Sequence, residues 1–205
     1  MALKSSVKTL SLGLATALGA ALVIGAQAVA QTPAQQPVPA DQQMQKMLKM
    51  YTPELREKVT SLSPETRKKL LQMLSLHTNR SDKATFRQVM QEVLNDYQAI
   101  AAGIATDNAE MTADAARRLA NHRLPKGGLY PYFALENIND ADMTILPAMN
   151  SAVEGSALKL AEAADRGDMA TAATHLSEIM TGCVGCHAKF RGQPGVSDRL
   201  LGAGQ

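Results

Sequence analysis

The chain has 205 residues, 45% hydrophobic, 20% charged and only 3% aromatic, with no Trp. Sandwiches and barrels draw on aromatic and β-branched strand residues, so this Ala- and Met-rich composition argues against an all-β fold and for helices. A formal charge of +2 is too small to mark a nucleic-acid binder.

Lys4 and Lys8 precede an uncharged run of Leu, Ala, Gly and Val from Leu10 to Gly25, and Ala28-Val29-Ala30 offers small residues for cleavage. Residues 1–30 therefore read as a secretory signal peptide cut before Gln31, with Ala26-Gln27-Ala28 as a second site and an uncleaved membrane anchor as the alternative. Cleavage leaves nineteen basic and nineteen acidic side chains. The mature chain is then near neutral, with no stable membrane insertion expected and only weak electrostatic steering toward partners.

The linker 31–41 opens with QTPAQQPVPA, rich in Pro and Gln and without charge. Residues 42–79 read as an N-terminal helical extension. Met44, Met47, Leu48 and Tyr51 recur at helical spacing. Thr52-Pro53-Glu54 and Ser63-Pro64-Glu65 each combine an N-cap, a Pro at the first helical position and an acid in the first turn. Leu55, Val59, Leu70 and Leu74 need a surface to cover, and the extension is expected to dock on the body of the protein. The Met44/Met47/Met50 cluster reads as a packing face.

Residues 82–192 carry four longer helical patterns, expected to form an antiparallel four-helix bundle in an all-α fold. The first, about 82–103, has the stripe Phe86, Val89, Met90, Val93, Leu94, Tyr97, Ile100, Ala101 and Ile104. The second, near 108–122, turns Met111, Ala115 and Leu119 inward. A Gly/Pro/Tyr-rich crossover, 123–139, follows. The third, about 142–165, carries Ile145, Met149, Ala152, Val153, Ser156, Leu160 and Ala164, with Pro147 as a kink near its start. Gly167 suits a left-handed C-terminal cap, and Asp168 an N-cap for the fourth helix. That helix carries Met169, Ala172, Ala173, Leu176, Met180, Cys183, His187 and Phe190. Residues 193–205 read as a loose C-terminal tail.

The only two cysteines are Cys183 and Cys186, and His187 follows at once in Cys183-Val184-Gly185-Cys186-His187. This is the spacing of c-type haem attachment: each thiol adds to one vinyl group, and the next residue sets its imidazole beneath the iron. The rival readings are weaker. A four-cysteine zinc site has no further cysteines to complete it. A thioredoxin-like pair would open a helix after a strand, and this one ends a helix in a chain without strands. A disulfide would close a very small loop and stabilise little.

The motif lies on the last helix and continues as Ala188-Lys189-Phe190-Arg191. In this it resembles the class II c-type cytochromes, the cytochrome c-prime family, over roughly residues 82–192. The resemblance implies a periplasmic protein of a Gram-negative bacterium with one covalently attached haem c. Cys183 and Cys186 would carry the thioethers, His187 would be the fifth ligand, and Arg191 would lie near the propionates. It places Met90, after Phe86-Arg87, at the sixth position, with an Arg-to-Met offset one residue shorter than the family pattern. A thioether there implies single-electron transfer between redox protein partners and no enzymatic role. The alternative is a five-coordinate haem that binds nitric oxide or carbon monoxide. The resemblance also allows a homodimer. His122 is the rival sixth ligand, with a propionate contact or a cap on its own helix as its other readings. His77 and His175 read as solvent-facing or structural. A peroxidase is disfavoured because no distal histidine accompanies Arg87 near Met90 on its helix.

Overall fold

The structure is a computed structural model that describes residues 39–191 and 199–202. The expected signal peptide and most of the linker lie outside the described residues. The described chain is mostly helical, and no strand occurs in it beyond two isolated bridges. None of its helices is long and apolar enough to cross a membrane.

Helices α1 (Ala40–Met50), α2 (Pro53–Ser61) and α3 (Pro64–Ser75) make up the extension. The two Pro-led starts appear as expected, and the Ser63 hydroxyl accepts from the Thr66 N–H. The extension does not simply cover a finished body. Met44, Met47, Tyr51, Leu55, Val59, Leu70 and Leu74 are buried in an apolar cluster of their own, shared with Tyr130, Phe133 and Ile138 of the crossover and with Phe190. The Tyr51 hydroxyl donates to the Gly127 carbonyl at 2.6 Å, tying α1 to the crossover.

The expectation of a loose tail fails for its described part. Leu200 is buried in the same cluster. The Thr52 N–H donates to the Arg199 carbonyl at 2.9 Å and the Leu201 N–H to the Met50 carbonyl at 2.7 Å. Two backbone bonds and one buried leucine are enough to hold a short segment against the junction of α1 and α2.

Helix α4 (Phe86–Ala105) starts on a Thr85/Gln88 capping box, and α5 (Ala109–Ala120) on the Asn108 side chain. The single expected helix over 142–165 is broken into α6 (Asp140–Met143), α7 (Leu146–Asn150), a π turn (Ser151–Gly155) and α8 (Ser156–Asp165). Pro147 sits in the first turn of α7, where its missing N–H costs nothing, so it starts a helix here and does not kink one. Gly167 takes φ +73°, Asp168 accepts from the Thr171 N–H, and α9 (Met169–Phe190) follows as expected.

Helix α4 packs along α5, α5 along α8, α8 along α9, and α9 back on α4. Their shared core is largely alanine, with Ala113, Ala115, Ala116, Ala157, Ala161, Ala163, Ala164 and Ala172 buried beside Ile100, Leu119, Leu160 and Ile179. Small side chains let the axes come close. Gly182 has the same effect at the π turn, where a Cβ would stand 2.7 Å from Val153 Cγ2. This contact seats the cysteine-bearing turns of α9 against residues 151–155. Four apolar residues expected to face inward are exposed instead: Leu94, Met111, Ile145 and Met180. Ala152 and Ala173 are exposed as well.

Candidate functional site

The two apolar clusters meet at a cavity of about 320 Å³. Helix α4 contributes Phe86, Met90 and Val93 to its wall. The crossover gives Leu129 and Phe133, α7 gives Leu146 and Met149, and α9 gives Cys183, Cys186, His187 and Phe190. Arg191 joins them at the end of α9, and Met73 of α3 closes part of the wall from the extension.

All five residues singled out as cofactor-binding, Cys183, Cys186, His187, Met90 and Arg191, therefore line one cavity. Met149 and Phe190 line it too, whereas Met180 is exposed and does not. The periodicity of α9 explains the arrangement: residues 183, 186, 187 and 190 recur three and four apart and share one face. Cys183 and Cys186 are half-buried, and Val184, Gly185 and His187 are exposed, so the motif forms the rim of the cavity. Burial raises both thiols above their ordinary range, and Cys183 pushes Cys186 further up. They stay protonated near neutral pH, unlike the thiolate of a redox dithiol.

A second, polar group closes another part of the wall, and sequence reasoning missed most of it. The segment Thr78–Ser81 runs beside Asn121–Leu124. The Thr78 N–H donates to the Asn121 side chain at 3.1 Å, and the Leu124 N–H to the Asn79 carbonyl at 3.0 Å. This pairing brings the rings of His77 and His122 within 5.0 Å, centroid to centroid. Between them stands Glu154, from the π turn. Its Oε1 lies 2.7 Å from His77 Nε2 and 3.2 Å from His122 Nε2, and its Oε2 accepts from Asn150 Nδ2 at 2.8 Å. All four residues line the cavity.

Of the two readings of His77, the solvent-facing one fails and the structural one fits: it is buried against Glu154. His122 does not cap α5, which ends at Ala120; its Nδ1 donates to the Arg123 carbonyl at 2.9 Å and its Nε2 faces Glu154. His175 is half-buried and pairs with Glu178. No distal histidine accompanies Arg87 along α4, but in space His77 and His122, besides His187, line the cavity that Met90 lines. Nothing in the local sequence around Glu154 marks it. An apolar pattern running through 153 and 156 conceals a carboxylate that only the π turn directs inward.

Burial pushes the Glu154 carboxyl up, but hydrogen bonds and charge from His122 and His77 outweigh it and hold the group at about 2. Burial pushes His122 down, and the Glu154 hydrogen bond and charge more than reverse this, leaving it raised. The depressed carboxylate contributes stability above its unfolded value of about 4.3 and loses it as pH falls through the folded one. The raised imidazole contributes below about 6.5 and loses it as pH rises through its folded value. Both contributions are in full force between roughly pH 4.5 and 6.5. Glu154→Ala should cost about 3 kcal/mol and flatten the decline in stability above pH 6.5, as read from urea melts across pH. A decline as steep as in the parent would show that His122 does not titrate against Glu154.

No protein-family model, no curated protein and no solved structure matches the chain.

Proposed function

We propose that α4, α5, α8 and α9 form an antiparallel four-helix bundle bearing one covalently attached haem c, and that the protein passes single electrons between redox protein partners in the periplasm. The observation that carries this reading is the convergence of both cysteines, His187 and Met90 on one apolar cavity between two cores. Haem supplies an iron centre that gains and loses one electron with little movement of the protein.

The residues fit such a group. Two neutral, half-buried thiols three positions apart on one helix face suit thioether formation better than redox exchange. His187 adjoins Cys186 at the rim, exposed yet lining the cavity, where its imidazole would be the fifth ligand. Met90 offers a soft, neutral sulfur from α4. His122 is the weaker candidate for the sixth position because both its ring nitrogens are engaged, one by Arg123 and one by Glu154. The rest of the wall is mostly apolar, which favours the less charged ferrous state and raises the potential. The rim position of the motif brings the electron close to a partner's surface.

The absorption spectrum of the purified mature protein tests this, oxidised and reduced, with and without carbon monoxide. The expected result is a c-type spectrum that survives acid-acetone extraction and shifts little with carbon monoxide. Rapid carbon monoxide binding by the wild type would favour the five-coordinate, gas-binding reading. Freely extracted pigment would overturn covalent attachment.

A further inference from the structure

We propose that His77, His122 and Glu154 form a mononuclear site for a zinc-class divalent cation, with a fourth coordination position facing the cavity. The three residues come from three separate parts of the fold: the segment after α3, the segment after α5, and the π turn. Their ligand atoms all lie within 4.8 Å of one another. Two imidazole nitrogens and one carboxylate oxygen are the donor set of three-ligand zinc sites, which leave the fourth position to water or a small ligand.

The surrounding hydrogen bonds match what such a site needs. The Arg123 carbonyl can only accept, so His122 Nδ1 carries a proton and Nε2 is the nitrogen that presents toward Glu154. That tautomer, fixed by a backbone carbonyl, is the usual support of a metal-binding histidine. Asn150 holds Glu154 Oε2 and leaves Oε1 as the single coordinating atom. A neutral His122 Nε2 facing a carboxylate oxygen at 3.2 Å sets lone pair against lone pair. Only a cation between them makes the contact favourable, and a proton or a metal ion serves. His77 Nδ1 is buried without a partner, so that ring is oriented by packing and by its Nε2 contact with Glu154.

Around an ion about 2.0–2.1 Å from each donor, the donors stand roughly 3.3–3.5 Å apart. His122 Nε2 is already near that distance from Oε1, and His77 Nε2, at 2.7 Å, has to draw back by about 0.6–0.8 Å. The other groups at the cluster's edge are Arg123, which pairs with Glu92 on the exposed side, and Asn150. No second carboxylate joins the cluster among the described residues, so a bound divalent ion keeps a net charge of about +1 toward the cavity.

The test is calorimetric titration of the full mature protein with Zn²⁺ in chelator-free buffer at pH 7, with zinc and iron counted separately by mass spectrometry. Counting zinc alone keeps the result independent of what fills the rest of the cavity. One equivalent of zinc per chain is expected. Glu154→Gln and His122→Gln should weaken binding at least tenfold. His175→Gln, which alters the exposed His175–Glu178 pair, should leave it unchanged. Affinity should fall as pH is lowered, because protons compete with the ion for the imidazole nitrogens. The zinc X-ray absorption spectrum of the unmutated protein should show two imidazoles and a carboxylate oxygen, a readout that needs no variant to fold. Absence of a stoichiometric zinc, binding unmoved by Glu154→Gln in a folded variant, or a spectrum with fewer than two imidazoles would each overturn the site. The cluster would then be a proton-holding ion pair.

Discussion

Replacing Cys183 and Cys186 together by alanine should leave the exported protein with no pigment that survives acid-acetone extraction. The single variants should retain a weaker, one-bond attachment. Each cysteine forms one thioether in the proposed arrangement, and among the described residues no other thiol can substitute. The effect on stability should be as large as the effect on colour. Without the group that fills it, this partly open cavity loses packing on several walls at once, and the fold should be destabilised. The double variant is therefore expected to lose much of its thermal transition and to be degraded in the cell. His187→Ala should behave differently, keeping the covalent pigment and changing only its spectrum. If the double variant kept the wild-type melt and yield, the cavity would not be built around a covalent group.

The parts of this fold that were legible in the sequence are those set by local chemistry. Gly167 and Asp168 mark the end of one helix and the start of the next because a left-handed cap and an N-cap are each decided within four residues. The two Pro-led starts at Pro53 and Pro64 are legible for the same reason. The motif on α9 needed only its own spacing. Helix faces were harder to read. Leu94, Met111, Ile145 and Met180 continue apolar stripes yet are exposed, while Ile179, off the expected stripe, is fully buried. A helix packed against two neighbours buries a wide arc, and here alanine fills much of it. The large apolar residues therefore do not define the inward direction. What no local pattern carries is contact across long separations. His77 meets Glu154 across 77 residues, and Leu200 is buried in the cluster that holds Tyr51. The extension is more than a layer docked on the body, since Met73 and His77 line the cavity itself. Removing residues before 80 should therefore disturb the cavity as well as lower the melting temperature.

In the proposed haem protein, Met90→Ala should convert the iron to high spin and permit fast carbon monoxide binding to the reduced form. Met90 is half-buried and lines the cavity from α4, whose residues Phe86 and Val93 line it on either side. A thioether in an apolar site is a soft, neutral sixth ligand, and its removal leaves no equally placed sulfur on α4. Met149, on α7, lines another part of the same wall and is the control for a sulfur that only packs. Two substitutions separate ligation from packing. Met90→Ala removes both sulfur and volume and should cost about 2 kcal/mol of stability, the low end for a methionine truncation because the side chain is half-exposed. Met90→Leu keeps most of the volume and should cost less than about 1.5 kcal/mol. If Met90 is the ligand, both variants lose the weak far-red absorption of a sulfur–iron bond and both bind carbon monoxide, although their stabilities differ. If Met90 only packs, the spectra of the two variants match the wild type and the melts alone change. In that outcome His122 becomes the next residue to replace, and its release from Glu154 should then accompany any change at the iron.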